Sequence, residues 1–488
     1  MQRKFVTNLA LVLFLNLLIK PFWILGIDVA VQNAVGLEQY GFYYAIFNFS
    51  FLLNIFLDLG ITNFNNKNIS QNNHLLSKHL SSIILLRLLL AGIFAIVTLG
   101  GGLLIGYTTD MMKMLVSVIF NQILISFILY LRSNLAGMHL FKTDSLISVL
   151  DRLIMIILCF FLLINYHSTG SFDIRWFIYS QTAAYLITSV ITLAIVMKKA
   201  KIRKLSWRWP FFMMILKKSY PYAVLVFLMT FYTYINGVML ERLLPFRTGA
   251  QEAGIYASAN RLLDATNQIA FLFSGLLLPI FARMIKLKQN VEEMVRLSFS
   301  LLVIPAIIIT TCSYFFSYDI MNMLYKGNNI TENHIDDSAK VFRILMCCFI
   351  PISSTYIFGT LLTANGNLRQ LNIMASIAMC FNIALNLFLI PKYSATGAAI
   401  SSIITQALTA LAQVFMAQKE FAFHKNFKLL FTIAFFIVCV ITLNILISYL
   451  EIHWVSRFIL SVILCFIFAF ATKLISIRNI YRIVKYED

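Results

Sequence analysis

Runs of about 20 apolar residues, each bounded by polar clusters, recur along the whole chain, and few folds accommodate that pattern. A helix needs roughly 20 such residues to cross the ~30 Å hydrocarbon core of a bilayer. In the first half the windows are 9–31, 41–61, 82–106, 114–137, 146–165 and 176–197. Six more follow at 219–244, 258–282, 296–317, 341–364, 371–391 and 395–417, then two at 429–450 and 457–475. The expectation is an all-α polytopic membrane protein with about 14 transmembrane helices. Composition agrees: 60% of the 488 residues are hydrophobic and only 12% charged, whereas soluble domains are about half apolar and about a quarter charged.

The net charge of +19 raises nucleic acid as a partner, but the charges sit in short loops between apolar runs. The positive-inside bias explains that placement, and nucleic-acid binding is set aside. With the N-terminus inside, inner segments hold 25 of the 39 Lys and Arg residues. Outer loops hold eight: Lys113, Arg175, Arg242, Arg247, Lys326, Lys340, Lys392 and Arg457. The remaining six (Lys20, Arg87, Arg132, Arg152, Arg261, Arg343) lie in or near spans. This asymmetry places both termini in the cytoplasm. "MQRK" before the first apolar run, with no small-residue cleavage site after it, reads as a retained first helix.

Several chemistries have no motif here. There is no GxxxxGK[ST], HExxH or GxSxG, and the seven cysteines fall inside apolar runs without metal-ligand spacing. The seven histidines are scattered, mostly in loops. No catalytic residue, metal ligand or bound cofactor is expected, and the chain reads as a transporter rather than an enzyme.

The basic stretch "KKAKIRKLSWRWPFFMMILKK" (198–218) divides the sequence. Its Trp and apolar centre suits an interfacial helix against anionic lipid, as well as a topology-setting linker. The two sides resemble each other. "YGFYYAIFN" (40–48) parallels "AGIYASANR" (253–261), "YLRSNLAG" (130–137) parallels "YIFGTLLTANG" (356–366), and "NYHSTGSFDI" (165–174) parallels "PKYSATGAAI" (391–400). Six spans per half make this a parallel repeat, and transporters place substrate pathways between such halves. The expected organisation is a six-helix bundle over 1–200, a linker over 201–218 and a second bundle over 219–420. Two further helices over 429–475 and a cytoplasmic tail over 476–488 complete it.

Ionisable residues inside a bilayer are costly, so they mark cavities or partners. In "LIKPFWILGID" (18–28), Lys20 lies about eleven residues from either end of its span, or roughly 16 Å. That is deep for snorkelling. Pro21 frees the carbonyl of residue 17, and a hinge there is tolerated where the backbone lines protein or water. Two readings stay open: Lys20 faces a wet interior, or it pairs with a resident carboxylate. Asp28, two turns above, can edge the same groove. Further candidates are Asp58 in span 2, Arg87 in span 3, able to snorkel to the inner face, and the adjacent Asp151 and Arg152 in span 5. Glu241 lies near the outer end of span 7, and Arg261 and Asp264 at i and i+3 in span 8 can pair. A basic cavity suits an anionic passenger such as a diphosphate. The carboxylates could also bind H+ or Na+ and couple transport to a gradient.

"NLLIKPFWILGIDVAVQNAVGLEQYGFYYAIFNFSFLLNIFLDLGITNFNNKNIS", "LERLLPFRTGAQEAGIYASANRLLD" (240–264) and "NLFLIPKYSATGAAISSIITQ" (386–406) carry a family resemblance over about residues 8–420. They resemble the oligosaccharide-lipid flippases, the polysaccharide-export branch of the multidrug/oligosaccharidyl-lipid/polysaccharide (MOP) superfamily. The resemblance implies two pseudo-symmetric six-helix bundles around a central cationic cavity, with alternating access. It implies a cargo of undecaprenyl-diphosphate-linked oligosaccharide, turned to the outer leaflet of a bacterial inner membrane for surface polysaccharide, O-antigen and lipopolysaccharide synthesis. Polysaccharide polymerase, glycosyltransferases and membrane lipids are the implied partners. Lys20, Asp28, Asp58, Arg152, Arg261 and Asp264 carry over as cavity-lining candidates. The two extra C-terminal spans depart from the simplest twelve-span pattern and are similar to those of lipid II flippases. A multidrug or metabolite cation antiporter is the nearest rival. A membrane glycosyltransferase or polymerase is more distant, because the longest outer loop, about 318–340, carries no catalytic motif.

Overall fold

The computed structural model describes residues 15–62, 65, 69, 75–138, 140–169, 172–199, 209–327, 330–424 and 427–475. The N-terminal "MQRK", Gly170, linker residues 201–208 and the tail 476–488 lie outside them. Among the described residues every regular element is a helix, and the chain divides into two compact units. Met1–Gly254, with Gly327–Asn329, forms the first and the remainder forms the second.

In the first unit α1 (Leu15–Val35) does not break at Pro21. It passes through a π-helical turn at Trp23–Asp28, then ends at Gly36, whose φ of 82° reverses the chain. A wide turn just after a proline absorbs the missing backbone hydrogen bond without exposing polar backbone to lipid. Next come α2 (Leu37–Leu52) and the single turn α3 (Ile55–Asp58), closed by Leu59 in the left-handed region. The second span is thus interrupted at Leu53–Asn54. Then follow α4 (Leu75–Ile105), α5 (Thr109–Gly137), α6 (Phe141–Thr169), α7 (Ile174–Lys199) and α8 (Trp209–Leu243).

α8 packs along α2, and α5 packs against α2 and α7. The sharpest approach is between α2 and the opening of α9 (Phe246–Lys286), which starts in this unit and continues in the second. A Cβ on Gly41 would lie 1.7 Å from the Ala250 carbonyl oxygen, and one on Gly254 would lie 2.2 Å from that of Leu37. These glycines occupy matching positions in the paired motifs "YGFYY" and "AGIYA". Only hydrogen fits between the two backbones, the small-residue crossing favoured in membranes.

The second unit continues with α10 (Glu292–Phe315), the short α11 (Ser317–Leu324), α12 (Glu332–Cys347), α13 (Phe349–Asn365) and α14 (Leu368–Phe421). α14 is two antiparallel arms joined at Ser394, which has φ 50° and ψ −132°. Gly397 lets the return arm start against the first, because a Cβ there would lie 2.3 Å from the Leu389 carbonyl oxygen. A buried ladder ties the arms together. Asn382 donates to Thr405 Oγ1 at 3.2 Å, Asn386 donates to Asn382 at 3.1 Å, and Ser401 donates to Asn386 at 2.6 Å. The last helices, α15 (Phe427–Ser448) and α16 (Trp454–Ala471), pack on α10. There the Ser461 hydroxyl donates to Asn444 at 2.6 Å and lies 3.2 Å from Cys312 Sγ.

Twelve described helices are long and apolar enough to cross a membrane. One of them is the two-armed α14 and the interrupted second span is not among them, so fourteen crossing segments are accounted for.

Candidate functional site

Within the first unit, intramembrane charges fall into a balanced cluster and an unbalanced one. The balanced cluster joins α3 to α4. Arg87 is 6% exposed and forms an ion pair with Asp58. It donates to the Thr62 hydroxyl at 2.6 Å and to both the Ser126 carbonyl and hydroxyl at 2.9 Å, and lies 4.8 Å from the Tyr130 ring centroid. Arg87, which the sequence left able to snorkel, is buried among these partners. Asp58 from the preceding span and the Ser126 carbonyl take up its two terminal nitrogens inside, while among the described residues Nε has no partner. Asp28 is satisfied: the Tyr40 hydroxyl lies 2.9 Å from each of its carboxylate oxygens, and the residue is buried. The π-helical turn resets the angle between Lys20 and Asp28 and aims the carboxylate at α2.

The unbalanced cluster climbs α1, α5 and α6. At one end Arg132 of α5 holds Asp144 of α6 through Nε at 2.7 Å and a second nitrogen at 3.4 Å. About two turns along α6, roughly 12 Å, Arg152 Nε lies 3.7 Å from its neighbour Asp151. The Arg152 guanidinium stands 5.6 Å from the Trp23 ring and 6.0 Å from that of Tyr185. Trp23 stacks on Phe177 with centroids 5.8 Å apart, which fixes that wall. Lys20 is half-buried within electrostatic reach of Arg132, Arg152 and Asp151. Among the described residues it makes no hydrogen bond and no ion pair within 4 Å. Three cations face two carboxylates here, and both carboxylates are held by arginines. Lys20 is the surplus charge of this cluster, and among the described residues no carboxylate lies within 4 Å of its ammonium.

Glu241 and Arg242, adjacent at the end of α8, meet at 2.7 Å, with the guanidinium 4.5 Å from the Tyr107 ring. The carboxylate is fully buried, and the angle of that contact is not that of a hydrogen bond. In the second unit Arg261 and Asp264 pair at 3.8 Å, as their spacing predicts, and Asn260 donates to Asp264 at 3.2 Å.

Lys20, Asp151 and Arg152 are therefore brought together. Asp58 with Arg87 forms a separate group, as do Asp28 with Tyr40, Glu241 with Arg242, and Arg261 with Asp264. Sequence reasoning left Arg132 and Asp144 out of the candidate set because each lies near a span end. Their shared position across a short loop was the available signal. The aromatic wall of Trp23, Phe177 and Tyr185 had none, since aromatics occur throughout the chain. Among the described residues no group of His, Cys, Asp and Glu side chains forms a metal site.

Comparison with known proteins places this geometry in context. Residues 6–285, more than half of the chain, match the sequence profile of a family described as "Polysaccharide biosynthesis protein". No curated protein sequence matches. Among solved structures, the chain is similar to lipid II flippase MurJ in an inward closed conformation, with TM-score 0.74 and 16% identity over 94% of this chain and 97% of that one. It is also similar to the eukaryotic MATE transporter AtDTX14, with TM-score 0.57 and 13% identity over 86% of this chain and 99% of that one. At such identities the likeness is one of fold, that of MOP superfamily transporters.

Proposed function

We propose, for a chain that belongs to the polysaccharide biosynthesis protein family, that it flips undecaprenyl-diphosphate-linked oligosaccharide repeat units from the cytoplasmic to the outer leaflet of a bacterial inner membrane. The observation that carries this reading is the surplus cation Lys20, half-buried at mid-span beside Arg152 and Arg132. A lysine ammonium is a mobile point charge, whereas the arginine fork recognises phosphate oxygens in pairs. A diphosphate entering from the cytoplasmic end meets Arg132 and Arg152 before it reaches Lys20. The two arginines are already held by carboxylates, so they guide while Lys20 binds.

On this reading Pro21 and the π-helical turn make α1 the element that changes shape during alternating access. Asp28, Asp58, Arg87, Asp151, Glu241, Arg261 and Asp264 belong to the walls of the pathway or brace them. Coupling to H+ or Na+ falls to the carboxylates. The protein acts as a transporter and not an enzyme. It supplies surface polysaccharide or O-antigen synthesis, alongside a polymerase and glycosyltransferases, with both termini in the cytoplasm.

A second reading, flipping of lipid II, is favoured by the fold similarity to MurJ and by α15 and α16 packed on α10. Antiport of a drug or metabolite cation, the third, fits a cationic cluster poorly. Neutralising Lys20, Arg152 and Arg261 together tests the leading proposal. Lipid-linked glycan is expected to accumulate on the cytoplasmic leaflet; full export by this variant overturns it. In a deletion strain, accumulation of peptidoglycan precursor in place of a polysaccharide repeat unit selects the second reading.

A further inference from the structure

The two arms of α14 enclose an open groove of about 620 Å³ on the second unit, within the ~300–1,000 Å³ range of small-molecule sites. Gln370, Ile377 and Phe381 line it from the first arm, and Thr409, Phe415 and Lys419 from the second. Ile377 is 65% and Phe415 71% exposed, so both walls offer apolar surface to whatever lies beside them. The threonines do not make the floor polar. Thr409 donates to the Thr405 carbonyl at 2.8 Å, and Thr405 donates to that of Ser401 at 2.8 Å, which leaves only methyl groups facing out.

The charged end is equally defined. Among the described residues Lys419 makes no hydrogen bond and no ion pair, and neither does the exposed Arg369 beside Gln370. Glu420 lines the same end and accepts from Asn365 at 3.1 Å, so Lys419 and Arg369 together exceed it by one positive charge. From Gln370 to Phe381 the groove runs eleven residues, or about 16 Å of helix, close to half of the ~30 Å hydrocarbon core. It therefore has the length of one leaflet, with a net positive charge at the end of Lys419 and Glu420 and none among the lining residues of the other end.

We infer that this groove binds one anionic phospholipid of the leaflet on the Lys419 side, with an acyl chain between the arms of α14 and its phosphate at Lys419. A polyprenyl tail is a poorer match, because it is longer than the groove. The site is independent of the cationic cluster in the first unit, so it does not rest on the proposed cargo.

Native mass spectrometry of the full-length purified protein, with phosphatidylglycerol and phosphatidylethanolamine added in equal amounts, tests this. One phosphatidylglycerol per chain should be retained, preferred about fivefold over phosphatidylethanolamine. Lys419→Gln should bring that preference close to unity while Lys419→Arg keeps it, and Ile377→Trp, which fills the groove, should abolish retention. Lys419 lies at an exposed helix end, so its variants report even if the tryptophan variant does not fold. Equal preference in wild type and Lys419→Gln overturns the inference. So does displacement of phosphatidylglycerol by undecaprenyl phosphate, which would make the groove a seat for a polyprenyl tail.

Discussion

The first unit holds two clusters built from the same residue types and finished in opposite ways. Around Arg87 both terminal nitrogens have acceptors, Asp58 and Thr62 on one and Ser126 on the other, while among the described residues Nε has none. Around Lys20 the carboxylates are spent on arginines, and one cation is left over. A buried charge with a resident partner braces the bundle, and stability is where its loss shows. A charge without one braces nothing, and on the proposed function its loss should show in transport instead. The difference lies in the partners each cation finds.

Removing one side of the closed cluster should have the largest effect on folding. Arg87→Ala leaves the one-third-exposed Asp58 carboxylate with only Thr62 as donor and should cost about 3 kcal/mol, the low end for breaking a buried pair, read as a fall in folded protein after detergent extraction. Asp58→Asn combined with Arg87→Leu should recover most of that yield, because neither charge is then orphaned. If the single variant is as stable as wild type, the cluster does not brace the bundle.

Tyr40→Phe comes next. It takes from buried Asp28 the hydroxyl that meets both carboxylate oxygens, a loss of about 1.5–3 kcal/mol for hydrogen bonds to a charged group. Thermal unfolding of the purified protein measures it. An unchanged unfolding midpoint would mean that Asp28 is held by other means.

Arg152→Lys keeps the charge beside Lys20 but loses the flat face presented to Trp23 and Tyr185. The expected stability change is small, about 0.5–1 kcal/mol, and transport should fall further than stability does. Equal losses in both would place Arg152 with the bracing residues.

Much of this was legible before any coordinates. The apolar windows and the i, i+3 pairing of Arg261 with Asp264 follow from helical geometry alone, and the helices agree. Local periodicity could not supply partners from other spans. Arg87 meets Asp58 from a different helix, so nothing in either segment announces the pair. Nor does periodicity foresee the π-helical turn after Pro21. That turn shifts Asp28 away from the angle a regular helix gives it, and Tyr40 takes it up. The interruption at Leu53–Asn54 was hidden too, since a single Asn within an apolar run is as compatible with a continuous helix as with a broken one.

The most direct measurement concerns Lys20 alone. Lys20→Met strands no partner, so its folded yield and unfolding midpoint should match wild type to within about 1 kcal/mol. In cells that depend on this protein, the same variant should cause polyprenyl-diphosphate-linked glycan to accumulate on the cytoplasmic leaflet. A stable Lys20→Met protein that exports glycan at the wild-type rate would contradict the account. It would show that the surplus charge in the first unit has no passenger.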